Sequence, residues 1–140
     1  MTKVLAFHYD NNNAIQLLWT YSTSYVQFGG SVALGADGSI YVVAGRKLAV
    51  LDPADGSIIR SVSFPFQNGC TPALSRGVLW AYSDKQTFAL DPASLEVLQN
   101  FPSSSGFGLG YISPGAFVRG TAALNDSAQL DVYQETPAVR

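Results

Sequence analysis

The sequence predicts an all-β protein built from repeated four-stranded antiparallel units, and three observations lead to that fold class. The segment V-L-D-P-A-D-G-S-I-I-R at 50–60 recurs thirty-nine residues later as A-L-D-P-A-S-L-E-V-L-Q at 89–99. Each copy has an apolar strand end, an Asp-Pro turn and a second, alternating strand, which is typical of a β-hairpin. No segment has a helical pattern long enough to compete. We therefore expect a repeat protein that forms a single domain over residues 1–140.

The chain is expected to open on half a unit, at 3–22. Two strand-like runs, 4–9 and 14–21, are joined by Asp10 and three asparagines, which are residue types that tolerate tight turns. Aligned with the later copies, Phe7 takes the place of Leu51, and about three extra residues fall in the turn. This half-unit therefore corresponds to the two outer strands of a complete unit.

Three further units are predicted, at 30–64, 70–101 and 108–134. In the first two, runs rich in β-branched and aromatic residues are separated by Gly and Asp turns, so each unit has four strands. Pro65 ends the first unit because proline cannot donate to a strand ladder. The third unit is weaker, since three or four residues are missing around Gly120. Together with the opening half-unit, this gives about fourteen strands.

A period near forty residues with four strands in each unit is typical of a propeller blade. The repeats resemble the pyrroloquinoline-quinone-type (PQQ-like) β-propeller repeat, whose usual form is A-L-D-A-x-T-G-x-x-x-W. The resemblance implies a partial propeller of about three and a half blades. It also implies a Trp nine positions after each aligned Leu, where the ring docks one blade on the next. The chain keeps Trp19, three residues late, in the first copy and has Arg60, Gln99 and Tyr133 in the others.

We expect no catalytic residue, cofactor site or metal site. The enzyme branch of the family implies a carboxylate base, a calcium ion and a pair of adjacent cysteines beside the quinone, but this chain has only Cys70. Its single histidine, His8, rules out a His cluster within one chain. One repeat position holds a set of polar residues that could suggest a ring of metal ligands: His8, Asp52, Asp91 and Asn125. Asp and Asn at the start of a turn accept backbone N–H groups locally, so we predict turn capping instead.

The composition excludes two classes of partner. Charged residues make up 13% of the chain and the net charge is −2, which argues against a nucleic-acid partner. No apolar run approaches the length of a membrane-spanning helix. The N-terminus lacks the apolar core of a secretory signal, so the chain as written is expected to be cytoplasmic, or periplasmic or extracellular if it is part of a mature exported protein.

The sequence favours a non-catalytic binding or scaffold module. An incomplete ring would leave strand edges and blade faces uncovered, so we expect a homodimer, or another protein that completes the ring. The alternatives are a fragment of a propeller enzyme, either a quinoprotein dehydrogenase or a propeller hydrolase or lyase, and a carbohydrate-binding or peptide-binding propeller. Four aromatic residues are candidates for ligand or interface contacts: Trp19, Tyr41, Trp80 and Tyr82.

Overall fold

The all-β fold class predicted from the sequence is confirmed. A computed structural model describes residues 2–12, 14–23, 31–44, 46–63, 71–82, 86–102, 107–113, 116–122 and 128–134. Within these ranges the chain forms thirteen strands in four antiparallel sheets and has no helix.

The first sheet is a two-stranded hairpin, which we call the N-terminal hairpin. It pairs β1 (Thr2–Tyr9) with β2 (Ile15–Thr23). Leu18 has no opposite residue, because the register shifts between Ala6, which pairs with Trp19, and Phe7, which pairs with Leu17. The extra residue forms a β-bulge, and such a bulge bends its strand and changes the direction of nearby side chains.

Two four-stranded sheets follow, and they have the same plan. Sheet 1 contains β3 (Val32–Leu34), β4 (Ile40–Ala44), β5 (Lys47–Leu51) and β6 (Ile58–Ser63). Sheet 2 contains β7 (Ala73–Ser75), β8 (Val78–Tyr82), β9 (Gln86–Leu90) and β10 (Val97–Pro102). In both sheets each strand pairs with the one that follows it in sequence. This up-and-down order is the connectivity expected for two successive repeats.

The third copy differs from the predicted four strands. Sheet 3 has three strands in its described residues, β11 (Phe107–Ser113), β12 (Ala116–Ala122) and β13 (Ala128–Gln134). The sequence alignment divides 116–122 between a second and a third strand, whereas β12 is continuous and pairs with β11 along its whole length. Because the residues missing around Gly120 would have formed the turn, nothing separates the two runs. Tyr133 consequently lies on β13, opposite Phe117 on β12, instead of on a fourth strand.

The sheets lie side by side and share apolar cores. The first strands of successive sheets are neighbours, since β7 contacts β3 and β11. Alternate residues of β5 point to opposite sides. Ala49 and Leu51 pack with Trp19 of the N-terminal hairpin, while Leu48 and Val50 belong to the core shared with sheet 2. Sheet 1 is therefore covered on both faces, which explains why β4 and β5 carry continuous apolar runs.

Candidate functional site: the docking turns and the open hairpin

The Asp-Pro turns of sheets 1 and 2 are closed by the same kind of hydrogen bond. In sheet 1 the Ala54 N–H donates to the Asp52 carboxylate at 2.8 Å. In sheet 2 the N–H groups of Ala93 and Ser94 donate to the Asp91 carboxylate at 2.8 and 2.7 Å. Turn capping by Asp52 and Asp91 is therefore confirmed.

His8 shares the repeat position of these aspartates but does not cap a turn. His8 lies inside β1 and pairs with β2, and the turn is capped two residues later by Asp10, which accepts the N–H groups of Asn12 and Ala14 at 2.9 Å each. The extra residues of the first copy lengthen the strands of the hairpin, whereas the sequence alignment placed them in the turn. Asn125, the fourth member of the set, lies outside the described residues.

Turn hydrogen bonds also set the acidity of three exposed carboxyl groups. The pKa of Asp91 lies below its ordinary value, first because the Ser94 backbone N–H donates to the carboxylate. The pKa values of Asp37 and Asp55 are lowered in the same way, each by the backbone N–H of a serine two residues later. The Arg60 guanidinium adds a smaller attraction that lowers the pKa of Asp37 and Asp91 further. Over the described ranges, no three His, Cys, Asp or Glu side chains come together as a group that could hold a metal ion.

Trp19 docks the N-terminal hairpin on the Asp-Pro turn of sheet 1. The indole Nε1–H donates to the Pro53 carbonyl at 2.9 Å. The ring lies against Gly56, where an added Cβ would stand 2.5 Å from Trp19 Cε3. Gly56 also has a φ of +74°, a left-handed backbone that glycine adopts without steric cost. The left-handed backbone therefore favours glycine at position 56, and the contact with the ring leaves no space for a side chain.

Arg60 makes the equivalent contact one sheet later. Its Nη2 donates to the Pro92 carbonyl at 3.1 Å, and Pro92 occupies in sheet 2 the turn position that Pro53 occupies in sheet 1. The Tyr41 hydroxyl donates to the same carbonyl at 3.3 Å. In this turn Leu95 replaces the glycine, with a φ of +62° and a buried side chain. In sheet 1 a side chain at this position would meet the indole of Trp19, so we infer that Leu95 leaves no room for an indole and that an arginine makes the contact instead.

The docking side chain follows a β-bulge in each outer strand. Trp19 comes directly after the unpaired Leu18, and Arg60 comes after Ile59. Gln99 comes after the bulge residue Leu98 in β10 and is exposed. The corresponding turn of sheet 3, near 126, lies outside the described residues. Since a bulge redirects the following side chain, it aims Trp19 and Arg60 at the turn of the next sheet.

The four aromatic candidates are buried. Trp19 is 8% exposed, and Tyr41, Trp80 and Tyr82 are 3 to 4% exposed. Tyr41, Trp80 and Tyr82 belong to one core cluster with other residues of sheets 1 and 2, and Trp80 also stacks on Phe101 with a centroid distance of 6.2 Å. These rings are buried and do not offer an open flat face. A ligand role for them stays a prediction.

An uncovered apolar face lies on the N-terminal hairpin, on the side away from sheet 1. Phe7 pairs with Leu17 and Tyr9 pairs with Ile15, and these side chains share that face with Leu5. All five are exposed, with Leu5 at 48% and Phe7 at 56%. In sheet 1 the positions equivalent to Leu5 and Phe7 are those of Ala49 and Leu51, which are completely buried against the preceding hairpin. The repeat therefore places at this surface a face that elsewhere packs on another sheet.

Comparison with known proteins identifies the fold. No family model matches the chain, and no curated protein matches it. BamB from Moraxella catarrhalis superimposes on 75% of this chain and 34% of its own, with a TM-score of 0.62 and 17% identity. The extracellular domain of a hybrid two component system from B. thetaiotaomicron superimposes on 94% of this chain and 20% of its own, with a TM-score of 0.61 and 14% identity.

This chain therefore spans about a third and a fifth of the length of the two solved proteins. The described residues contain no helix that is long and apolar enough to cross a membrane. The cytoplasmic location expected from the N-terminus gains no support from the comparisons, because one of the two proteins is an extracellular domain. The PQQ-like family remains a resemblance, while the structural likenesses identify the fold as propeller-type.

Proposed function

We propose that this chain is a non-catalytic binding or scaffold module in which propeller-type sheets dock in series and the N-terminal hairpin offers the next docking face. The observation that carries the proposal is the contrast between equivalent positions. Leu51 is completely buried under the preceding hairpin, whereas Phe7 is 56% exposed. A soluble protein rarely leaves such a face uncovered unless it binds something there.

The partner we propose first is a second copy of the chain. Closed propellers have about four to eight blades, and two chains would supply about seven if each hairpin counts as half a blade. In such a homodimer the N-terminal hairpin of one chain would pack on the C-terminal sheet of the other. A different protein that completes the ring is the other candidate. A periplasmic or extracellular location is favoured over the cytoplasm, because one of the structurally similar proteins is an extracellular domain.

Two rival functions receive less support. The burial of Tyr41, Trp80 and Tyr82 removes the open aromatic surface on which a carbohydrate-binding function would depend. The second rival function is a propeller enzyme. The carboxylates of the Asp-Pro turns accept local backbone hydrogen bonds, so their presence is explained without a catalytic role.

Light scattering during size exclusion at micromolar concentration tests the proposal. We expect a dimer that dissociates when Leu5→Asp and Leu17→Asp place two charges on the open face. Leu98→Asp is the matched control, because Leu98 is as exposed as Leu17, 59% against 56%, but lies on β10. A monodisperse monomer would rule out self-association. Dissociation of the Leu98→Asp variant would show that the effect is not specific to the hairpin.

A further inference from the structure

The inner edge of β1, over residues 3–8, has no partner strand among the residues that the structure describes, and we call it the open edge. The N-terminal hairpin corresponds to the outer strand pairs β5–β6 and β9–β10, since all three pairs are antiparallel and carry a bulge before the docking residue. The edge of β5 away from β6 pairs with β4, and the edge of β9 away from β10 pairs with β8. Among the described residues no strand pairs with the corresponding edge of β1.

The equivalent strands show what such an edge takes. β4 (I-Y-V-V-A) and β8 (V-L-W-A-Y) each have five residues, no charge and four buried side chains. They run antiparallel to β5 and β9 and present apolar side chains to both faces of the sheet. A strand added to β1 would meet Trp19 and Val4 on one side and Leu5 and Phe7 on the other, so it too would need apolar residues on both faces.

We propose that the open edge of β1 is an acceptor site for an antiparallel apolar strand of about five residues, supplied by a partner polypeptide. In a second copy, the strands that hold the equivalent position, β4 and β8, are already paired on both edges and are not free to add to β1. The proposal deepens the proposed function, since it assigns a partner chemistry to the same hairpin. Backbone hydrogen bonds to the edge of β1 would contribute to the affinity for the partner strand. The side chains that alternate between the two faces of the sheet would determine which sequences bind.

Binding of a strand peptide to the intact chain tests the proposal. The probe is V-L-W-A-Y, the sequence of β8, flanked by lysines for solubility and labelled with fluorescein for anisotropy. Two further peptides carry backbone N-methyl groups, one on the residues corresponding to Leu79 and Ala81 and the other on those corresponding to Trp80 and Tyr82. Alternate N–H groups of a strand point to opposite edges, so edge pairing makes one methylated peptide bind at least tenfold more weakly than the other. Apolar adhesion to the hairpin face would affect both alike.

The outcomes separate this proposal from self-association. A monomeric chain that binds the peptide with the alternating response supports the acceptor site and rules out the homodimer. If the chain is a dimer, the measurement is repeated on the monomer produced by Ile15→Asp and Leu17→Asp, which place both charges on β2 and leave the side chains of β1 unchanged. Absence of saturable binding to a monomeric chain, or equal binding of the two methylated peptides, overturns the acceptor site and leaves the homodimer to stand on its own measurement.

Discussion

Replacing Gly56 with alanine should be far more damaging than the same change at Gly77. Both glycines have a left-handed backbone, with φ of +74° and +80°, so both variants carry the cost of placing an L-residue there, roughly 1 to 2 kcal/mol. At Gly77 no heavy atom lies within 4 Å of the added Cβ. At Gly56 the Cβ would stand 2.5 Å from Trp19 Cε3 and 2.8 Å from Cδ2, so the indole must move.

Displacing the indole adds two costs. The hydrogen bond from Trp19 Nε1 to the Pro53 carbonyl is weakened or lost, which costs about 1 kcal/mol. The ring also loses part of its packing in the core with Ala49 and Leu51, and complete removal of such a ring costs roughly 3 to 5 kcal/mol. We therefore expect Gly56→Ala to lower the free energy of unfolding by roughly 3 to 5 kcal/mol, against roughly 1 to 2 kcal/mol for Gly77→Ala.

Urea denaturation followed by far-UV circular dichroism measures both free energies. Gly38→Ala is a second control, because its φ is +86° and its nearest neighbour, Pro53 Cγ, lies at an ordinary contact distance of 3.5 Å. In a Trp19→Ala background the additional cost of Gly56→Ala should fall to the backbone part alone. Equal losses at Gly56 and Gly77, or an unchanged loss in the Trp19→Ala background, would refute the docking of Trp19 on this turn.

Three other predictions follow from the repeat. Leu51→Ala removes a completely buried side chain and should lower the free energy of unfolding, measured by denaturant titration, by roughly 2 to 5 kcal/mol. Leu98→Ala, at an exposed position, should change it little, and similar losses at both positions would contradict the assigned burial. Arg60→Trp should destabilise the chain because Leu95 fills the space of the ring, and Leu95→Gly should relieve this loss, giving a favourable coupling energy in a double-mutant cycle. Additive losses would mean that the Asp-Pro turns of sheets 1 and 2 are not equivalent. The lowered pKa values of Asp37, Asp55 and Asp91 stabilise the fold above about pH 4, and this stabilisation is lost as the pH falls through the folded-state pKa values. Replacing the three aspartates with Asn should therefore make acid unfolding less steep, and an unchanged pH profile would contradict their role.

The amino-acid sequence by itself determined the repeat, the all-β class and the turn chemistry of the two complete units. These are local properties. The Asp-Pro turns recur because Asp52 and Asp91 bond to backbone only two or three residues away, and the strands recur because apolar residues keep the same order. A repeat alignment is sufficient to predict such features, since each unit forms the same turns and strands from residues that are close in sequence. The alignment could not show that His8 lies inside a strand, because lengthened strands and a lengthened turn are indistinguishable in one sequence.

Only the tertiary structure decided how the sheets meet. The contact of Arg60 with Pro92 joins residues thirty-two positions apart, and it depends on a bulge at Ile59 and on the left-handed Leu95. In the sequence, Arg60 is simply a missing tryptophan. The third copy has three strands in its described residues because continuous pairing between β11 and β12 outweighed the weak repeat pattern around Gly120. The exposure of Phe7 and the burial of Leu51 likewise follow from what packs on each sheet, which their shared place in the repeat cannot specify.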